Sequence, residues 1–279
     1  MSGFVSRNSR LIASLAVCAT ALIPVLTRAA PTAAAPPDFS SSSETAWVGI
    51  GGGNFLAVPG SPAPVGQDPH YHYQPNGPGQ ASFRIGDVTN PNLKQWAKDV
   101  MQKDNDEVLK GKIAYSPRSS CKPGGVPGFI AMGGGALFFV QSPSEVTMIF
   151  DGNAETRHIY LNVPHTAHPK PSWYGDSVGH YEGDTLVVDT IALNTKTFVD
   201  AYRTPHTEKL HVTERWRLID NGDKLEVVTT VNDPDTFNQP WQAMRRYQRG
   251  KRTLVENICA ENNSNLFDYG TPTAGKPDF

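Results

Sequence analysis

The chain is poor in cysteine, in long apolar runs and in clustered charge, and each shortage excludes something. Only three cysteines occur in 279 residues: Cys18, Cys121 and Cys259. The longest apolar stretch, residues 11–26, is interrupted by Pro24 and falls short of the roughly 20 residues that a membrane-spanning helix needs. Runs of lysine or arginine are missing and the formal net charge is −2, so the chain lacks the electrostatic footprint of a nucleic-acid binder. The glycine clusters at 49–53 and 133–135 are not Walker sequences and open no recognisable helix, which sets phosphate cradling aside in favour of turns and close backbone approach.

What is present begins with a targeting pattern. Arg7 and Arg10 precede the apolar run, and Ala29, Ala30 and the small residues to Ala35 follow it. A basic start, a short apolar centre and a small-residue exit read as a secretory signal over 1–35. The chain is then expected to be exported, periplasmic or secreted, with no membrane span after cleavage. Removal of residues 1–35 takes three arginines and no acid, leaving 22 basic against 27 acidic residues. Cys18 leaves as well. Cys121 and Cys259, in an oxidising compartment, pair most simply as one disulfide, the alternative being two buried thiols.

Residues 36–80 are rich in Pro, Gly and Ser, with Trp47 the main apolar anchor. They read as a linker and an irregular entry to a single β-rich domain over 81–279. One helix is expected over about 91–109, with Asn90 as cap, Pro91 at its first position, and Leu93, Trp96, Ala97, Val100 and Met101 as its apolar stripe. From residue 136 the period becomes two. Strands are predicted at 136–141, 145–150, 156–162, 177–182, 184–191, 210–219, 224–232, 240–249 and 253–259. Glu182-Gly183-Asp184 and Asn221-Gly222-Asp223 supply tight turns. The expected fold is mainly β: an antiparallel, lipocalin-like barrel or a strongly curved sheet, since closure removes exposed edges.

Gly175-Asp176-Ser177-Val178-Gly179 matches the G-x-S-x-G nucleophile pattern, but a strand before and a helix after the serine are missing. The histidines are more informative: five of eight lie between 165 and 211, namely His165, His168, His180, His206 and His211. Imidazole suits proton transfer near neutral pH, and an acid behind it fixes its tautomer. His206 or His211 is expected as general acid or base, with Asp189 or Glu214 as orienting partner and His180 as a further candidate. Arg157 or Arg215 would stabilise developing negative charge. Glu214 ranks first among the acids because alternation puts it on the apolar face of Leu210, Val212 and Trp216, where a carboxylate must find a partner. Trp173, Tyr174, Tyr181, Trp216 and Trp241 are expected to wall a pocket for a flat or greasy ligand.

Metal binding is a rival. His70-x-His72, His165, His168, His206 and His211 offer ligands, but no recognised spacing, and no glutamate follows His72 as a cupin would require. The leading expectation is a cofactor-independent enzyme of lyase, isomerase, hydratase or hydrolase type acting on a small aromatic or hydrophobic molecule. The other class is a non-catalytic periplasmic ligand-binding protein.

The run 171–190, Pro-Ser-Trp-Tyr-Gly-Asp-Ser-Val-Gly-His-Tyr-Glu-Gly-Asp-Thr-Leu-Val-Val-Asp-Thr, and the run 204–215, Thr-Pro-His-Thr-Glu-Lys-Leu-His-Val-Thr-Glu-Arg, stand out as long motifs. With Ser120-Cys121-Lys122-Pro123, Asp233-Pro234, Pro240-Trp241 and Cys259-Ala260-Glu261-Asn262, the chain after about residue 88 resembles a large, functionally unassigned family of exported bacterial β-rich proteins. The resemblance implies export and a β-rich fold and assigns no catalytic residue.

Overall fold

The computed structural model describes residues 1, 3, 35–51, 54–71, 84–112, 114–131, 135–152 and 155–259. Nearly all of the expected signal segment, His72 and parts of both glycine clusters lie outside them. The described residues from 35 to 259 belong to one compact unit.

Alternating sequence makes the strands, and their order closes them. They are β1 (Thr45–Gly49), β2 (Leu56–Ala57), β3 (Ala136–Gln141), β4 (Glu145–Phe150), β5 (Glu155–Leu161), β6 (Asp176–Glu182), β7 (Thr185–Ile191), β8 (His211–Ile219), β9 (Lys224–Asn232) and β10 (Trp241–Lys251). β3 to β10 pair in chain order, and β1 joins β3 to β10, giving a closed barrel of nine strands with β2 as an appendage on β10. The mainly β, barrel-like expectation holds, with one amendment. β5 and β6 run parallel, so the barrel is mixed. A parallel pair requires a crossover of a dozen or more residues, and residues 162–175 supply it, laced to the segment after β7 through Ser172 N–H to Ala192 O and Asn194 N–H to Ser172 O.

Three expectations shift at the edges. β1 falls inside the stretch read as linker and entry, yet it closes the barrel; its Thr-Ala-Trp-Val-Gly run is short and sits among glycines and serines. No strand forms at 253–259, because β10 loses its partner where β1 begins, at the Thr45–Lys251 pair. The helix α1 spans Gln95–Leu109, with Lys94 rather than Asn90 at its N-cap position. The Asn90 side chain instead accepts from Asn92 N–H at 2.9 Å, a local turn that competes with capping. The buried stripe of α1 is Ala97, Met101, Asn105 and Val108, while Trp96 and Val100 are exposed.

Inward side chains alternate down each strand and fill the barrel. One cluster gathers Trp47, Leu137, Phe139, Met148, Leu186 and Trp216. A second, with Val212, Val231 and Trp241, is joined by Leu93, Ala97 and Met101 of the α1 region and by Val199 and Tyr202 from the segment after β7. Cys121 and Cys259 form a disulfide, 138 residues apart in sequence. It ties the segment before α2 (Gly128–Ala131) to the chain beyond β10. Chain-entropy models credit a loop of that length with about 5 kcal/mol.

Candidate functional site

The polar residues singled out from sequence divide between the inside and the outside of the barrel. Inside, Arg157 of β5 lies against Glu214 of β8 at 2.6 Å, and neither side chain has exposed surface. The contact is an ion pair by distance, although its angles are not those of a hydrogen bond. Arg157 also donates to Thr190 Oγ1 at 2.9 Å and to Ser177 Oγ at 3.3 Å. Alternation correctly put Glu214 on the apolar face, and its partner is the buried arginine of β5.

Beside this pair, Glu155 accepts from Arg118 Nε, Gly124 N–H and Tyr174 O–H at 2.5, 2.9 and 2.6 Å. Burial, then the Glu155 charge, holds the Tyr174 hydroxyl well above its usual range. Burial likewise pushes Tyr247 up to about 12. Both tyrosine hydroxyls stay protonated at neutral pH. The G-x-S-x-G run is part of the same packing. Ser177 is buried between Arg157, Thr190 and Tyr174 O, and Gly175, at φ +63°, lies where a Cβ would strike Ile191 O.

Three expected catalytic residues lie apart. His206 is buried in the segment after β7. Its Nδ1 donates to Thr207 O at 2.9 Å, and its Nε2 therefore accepts from Thr197 Oγ1 at 2.8 Å. Burial lowers its pKa, as expected for a cation deprived of water. Arg215 and His180 are exposed on the outer face, both bonded to Glu182. Arg215 thus points away from Glu214, as strand alternation requires.

The aromatics follow the same lesson. Trp216 and Trp241 are fully buried in different core clusters, and Tyr174 packs edge-on to Phe129. The expected aromatic wall is therefore mostly core. Trp173 is half-buried in the crossover. Tyr181 lines a groove of about 490 Å³ with Pro36, Pro37, Pro143 and Leu161, and its hydroxyl accepts from Gln141 Nε2.

One cluster remains, on the outer face. Asp189 of β7 pairs with Thr213 of β8, and His211 lies two residues along β8 on the same face. His211 Nε2 meets Asp189 Oδ1 at 2.7 Å, and the same oxygen is 3.1 Å from His165 Nε2. The crossover brings His165 there; its Nδ1 lies 3.2 Å from Asp176 Oδ2, which also accepts Thr166 N–H at 2.7 Å. Carboxylates only accept, so His165 satisfies both neighbours only with a proton on each nitrogen. His211 needs one proton, on Nε2. Its Nδ1 has no hydrogen-bond partner among the described residues.

The sequence offers His211 or His206 as the acid or base, Asp189 or Glu214 as its partner, and His165 among possible metal ligands. The structure joins His211 to Asp189, sets His206 apart against Thr197, and brings His165 and Asp176 into the cluster. No group of three or more His, Cys, Asp or Glu among the described residues is arranged to hold a metal ion. His168 is exposed.

The fold and this cluster define a closed β-barrel protein with a carboxylate–imidazole site on its wall. No protein-family model matches the sequence, and no curated protein does. Among solved structures, the chain is similar to one titled REP1-NXSQ fatty acid transporter, at 9% identity, over 42% of this chain and 71% of that one, with a TM-score of 0.26.

Proposed function

We propose that this is an exported, cofactor-independent enzyme that transfers protons at His211. One observation carries the reading: two imidazoles meet on a single oxygen of Asp189, and His211 Nδ1 has no hydrogen-bond partner among the described residues. With Asp189 holding Nε2–H, the Nδ1 lone pair of His211 is the base. The imidazolium formed when it takes a proton is stabilised by the carboxylate, then returns the proton as an acid. His165, fixed between Asp176 and Asp189, is a positioning residue. Elimination, isomerisation, hydration and hydrolysis all use this cycle.

The site's charge narrows the substrate. The cluster sets two carboxylates, Asp176 and Asp189, around its two imidazoles. Arg157 and Arg215, expected to steady an anion, lie elsewhere. The substrate is then neutral or cationic rather than anionic. Export is supported by the basic, apolar and small-residue order of the N-terminus and fits a disulfide-bonded domain.

The test is a turnover screen of small neutral molecules followed by NMR. An authentic substrate loses at least about 100-fold in rate with His211→Ala and with Asp189→Asn, and little with Arg215→Ala. Turnover indifferent to His211→Ala would defeat the proposal. It would favour the second reading, non-catalytic binding in the groove at Tyr181, whose 490 Å³ lies within the usual range for small-ligand sites.

A further inference from the structure

The outer face beside His211 carries an ordered row of uncharged hydrogen-bonding side chains. Register places Asp189 of β7 opposite Thr213 of β8, Thr213 opposite Thr230 of β9, and Thr230 opposite Gln242 of β10. Two residues along, His211 stands opposite Asn232. Thr213, Thr230, Asn232 and Gln242 are all half-buried. Neighbouring strands are about 4.8 Å apart, so the row runs about 14 Å from the proton-transfer cluster across the sheet.

The chemistry of this row is specific in what it offers. Gln242 Nε2 donates to Thr230 Oγ1 at 3.1 Å, which leaves the Thr230 proton to donate and Gln242 Oε1 to accept. Thr213 and Asn232 add further groups of both kinds. On the other side of the row, the next outward positions are Val187, Arg215, Val228 and Met244. Val187 is buried, Arg215 is held by Glu182, and Val228 and Met244 are half-buried and apolar. A line of neutral donors and acceptors thus runs beside the C–H surface of Val228 and Met244.

That pairing fits a molecule with hydroxyls along its edge and an apolar ring face, repeated at about the spacing of strands. We propose that this row is a binding site for a neutral, hydroxyl-rich chain of the saccharide class, extending the substrate site that begins at His211. The inference rests on the proton-transfer reading for its function but not for its binding. The two carboxylates of the cluster at one end, Asp176 and Asp189, disfavour polyanions, and Thr213, Thr230, Asn232 and Gln242 present no charge to hold them.

The experiment is ¹H–¹⁵N NMR titration of the protein with maltotetraose and cellotetraose, with tetragalacturonate as the anionic comparator. At least one neutral tetrasaccharide is expected to bind saturably, shifting the amides of Thr213, Thr230, Asn232 and Gln242, while tetragalacturonate does not. Thr230→Val and Gln242→Leu each weaken binding about five- to tenfold, the loss of one hydrogen bond, with the melting temperature unchanged. His211→Ala retains binding, which separates this claim from catalysis. Saturable binding absent with both neutral probes, or shifts confined to other faces, overturns the saccharide row and leaves the proton-transfer site standing. Binding without dependence on Thr230 or Gln242 overturns it equally.

Discussion

Two of the barrel's carboxylates, Glu214 and Asp189, meet cationic or basic partners in opposite settings. Glu214 and Arg157 have no exposed side-chain surface, whereas Asp189 and His211 are 39% and 42% exposed. The inner pair is more perfectly charged, yet nothing can reach it. The outer pair is weaker and wet, yet its His211 Nδ1 has no hydrogen-bond partner among the described residues. Burial makes one a structural clamp, and exposure leaves the other open to a ligand. Strong electrostatics alone does not mark function.

The contrast can be broken from the inside first, where the effect is largest. Glu214→Ala leaves the Arg157 charge uncompensated in the core and is expected to cost about 3–5 kcal/mol, read by urea unfolding. The double change Arg157→Met with Glu214→Leu should recover most of that loss. If it were as damaging as the single change, the pair would be contributing more than mutual neutralisation.

A middle-sized effect comes from His206. Its folded pKa lies below the unfolded value of about 6.5. The unfolded chain therefore binds the proton more readily, and stability is full above 6.5 and falls as pH drops below it, until the folded pKa is passed. The slope reaches at most about 1.4 kcal/mol per pH unit. Stability curves for the wild type and His206→Gln should converge as pH is lowered from 7 to 5. Parallel curves would show that His206 does not sense the change. The smallest effect belongs to Arg215→Ala and His180→Ala. Both lie on the wet outer face with Glu182, and neither should move the melting temperature measurably.

The sequence made much of this legible, for identifiable reasons. Eight strands from β3 to β10 show the two-residue period, and two tight turns fix the β6–β7 and β8–β9 registers. The inward position of Glu214 follows from the same alternation. β1 escaped because five residues among Ser and Gly carry little periodic signal. The parallel β5–β6 pair escaped because a crossover and a loop look alike in sequence. That loop also explains the partial view of the site. His165 reaches Asp189 only because residues 162–175 return along the outer wall. Asp189 and His211 flank a long connection, 192–210, that leaves their register unset. His206 looked equivalent to His211, but the same connection folds it inward against Thr197.

The most direct measurement is the imidazole ¹⁵N spectrum of His211 in the wild type and in Asp189→Asn. In its neutral form the wild-type ring should be a single tautomer, protonated at Nε2 and bare at Nδ1, and that preference should weaken when Asp189 is replaced by Asn. A ring divided between tautomers like free histidine, and unmoved by Asp189→Asn, would contradict the site.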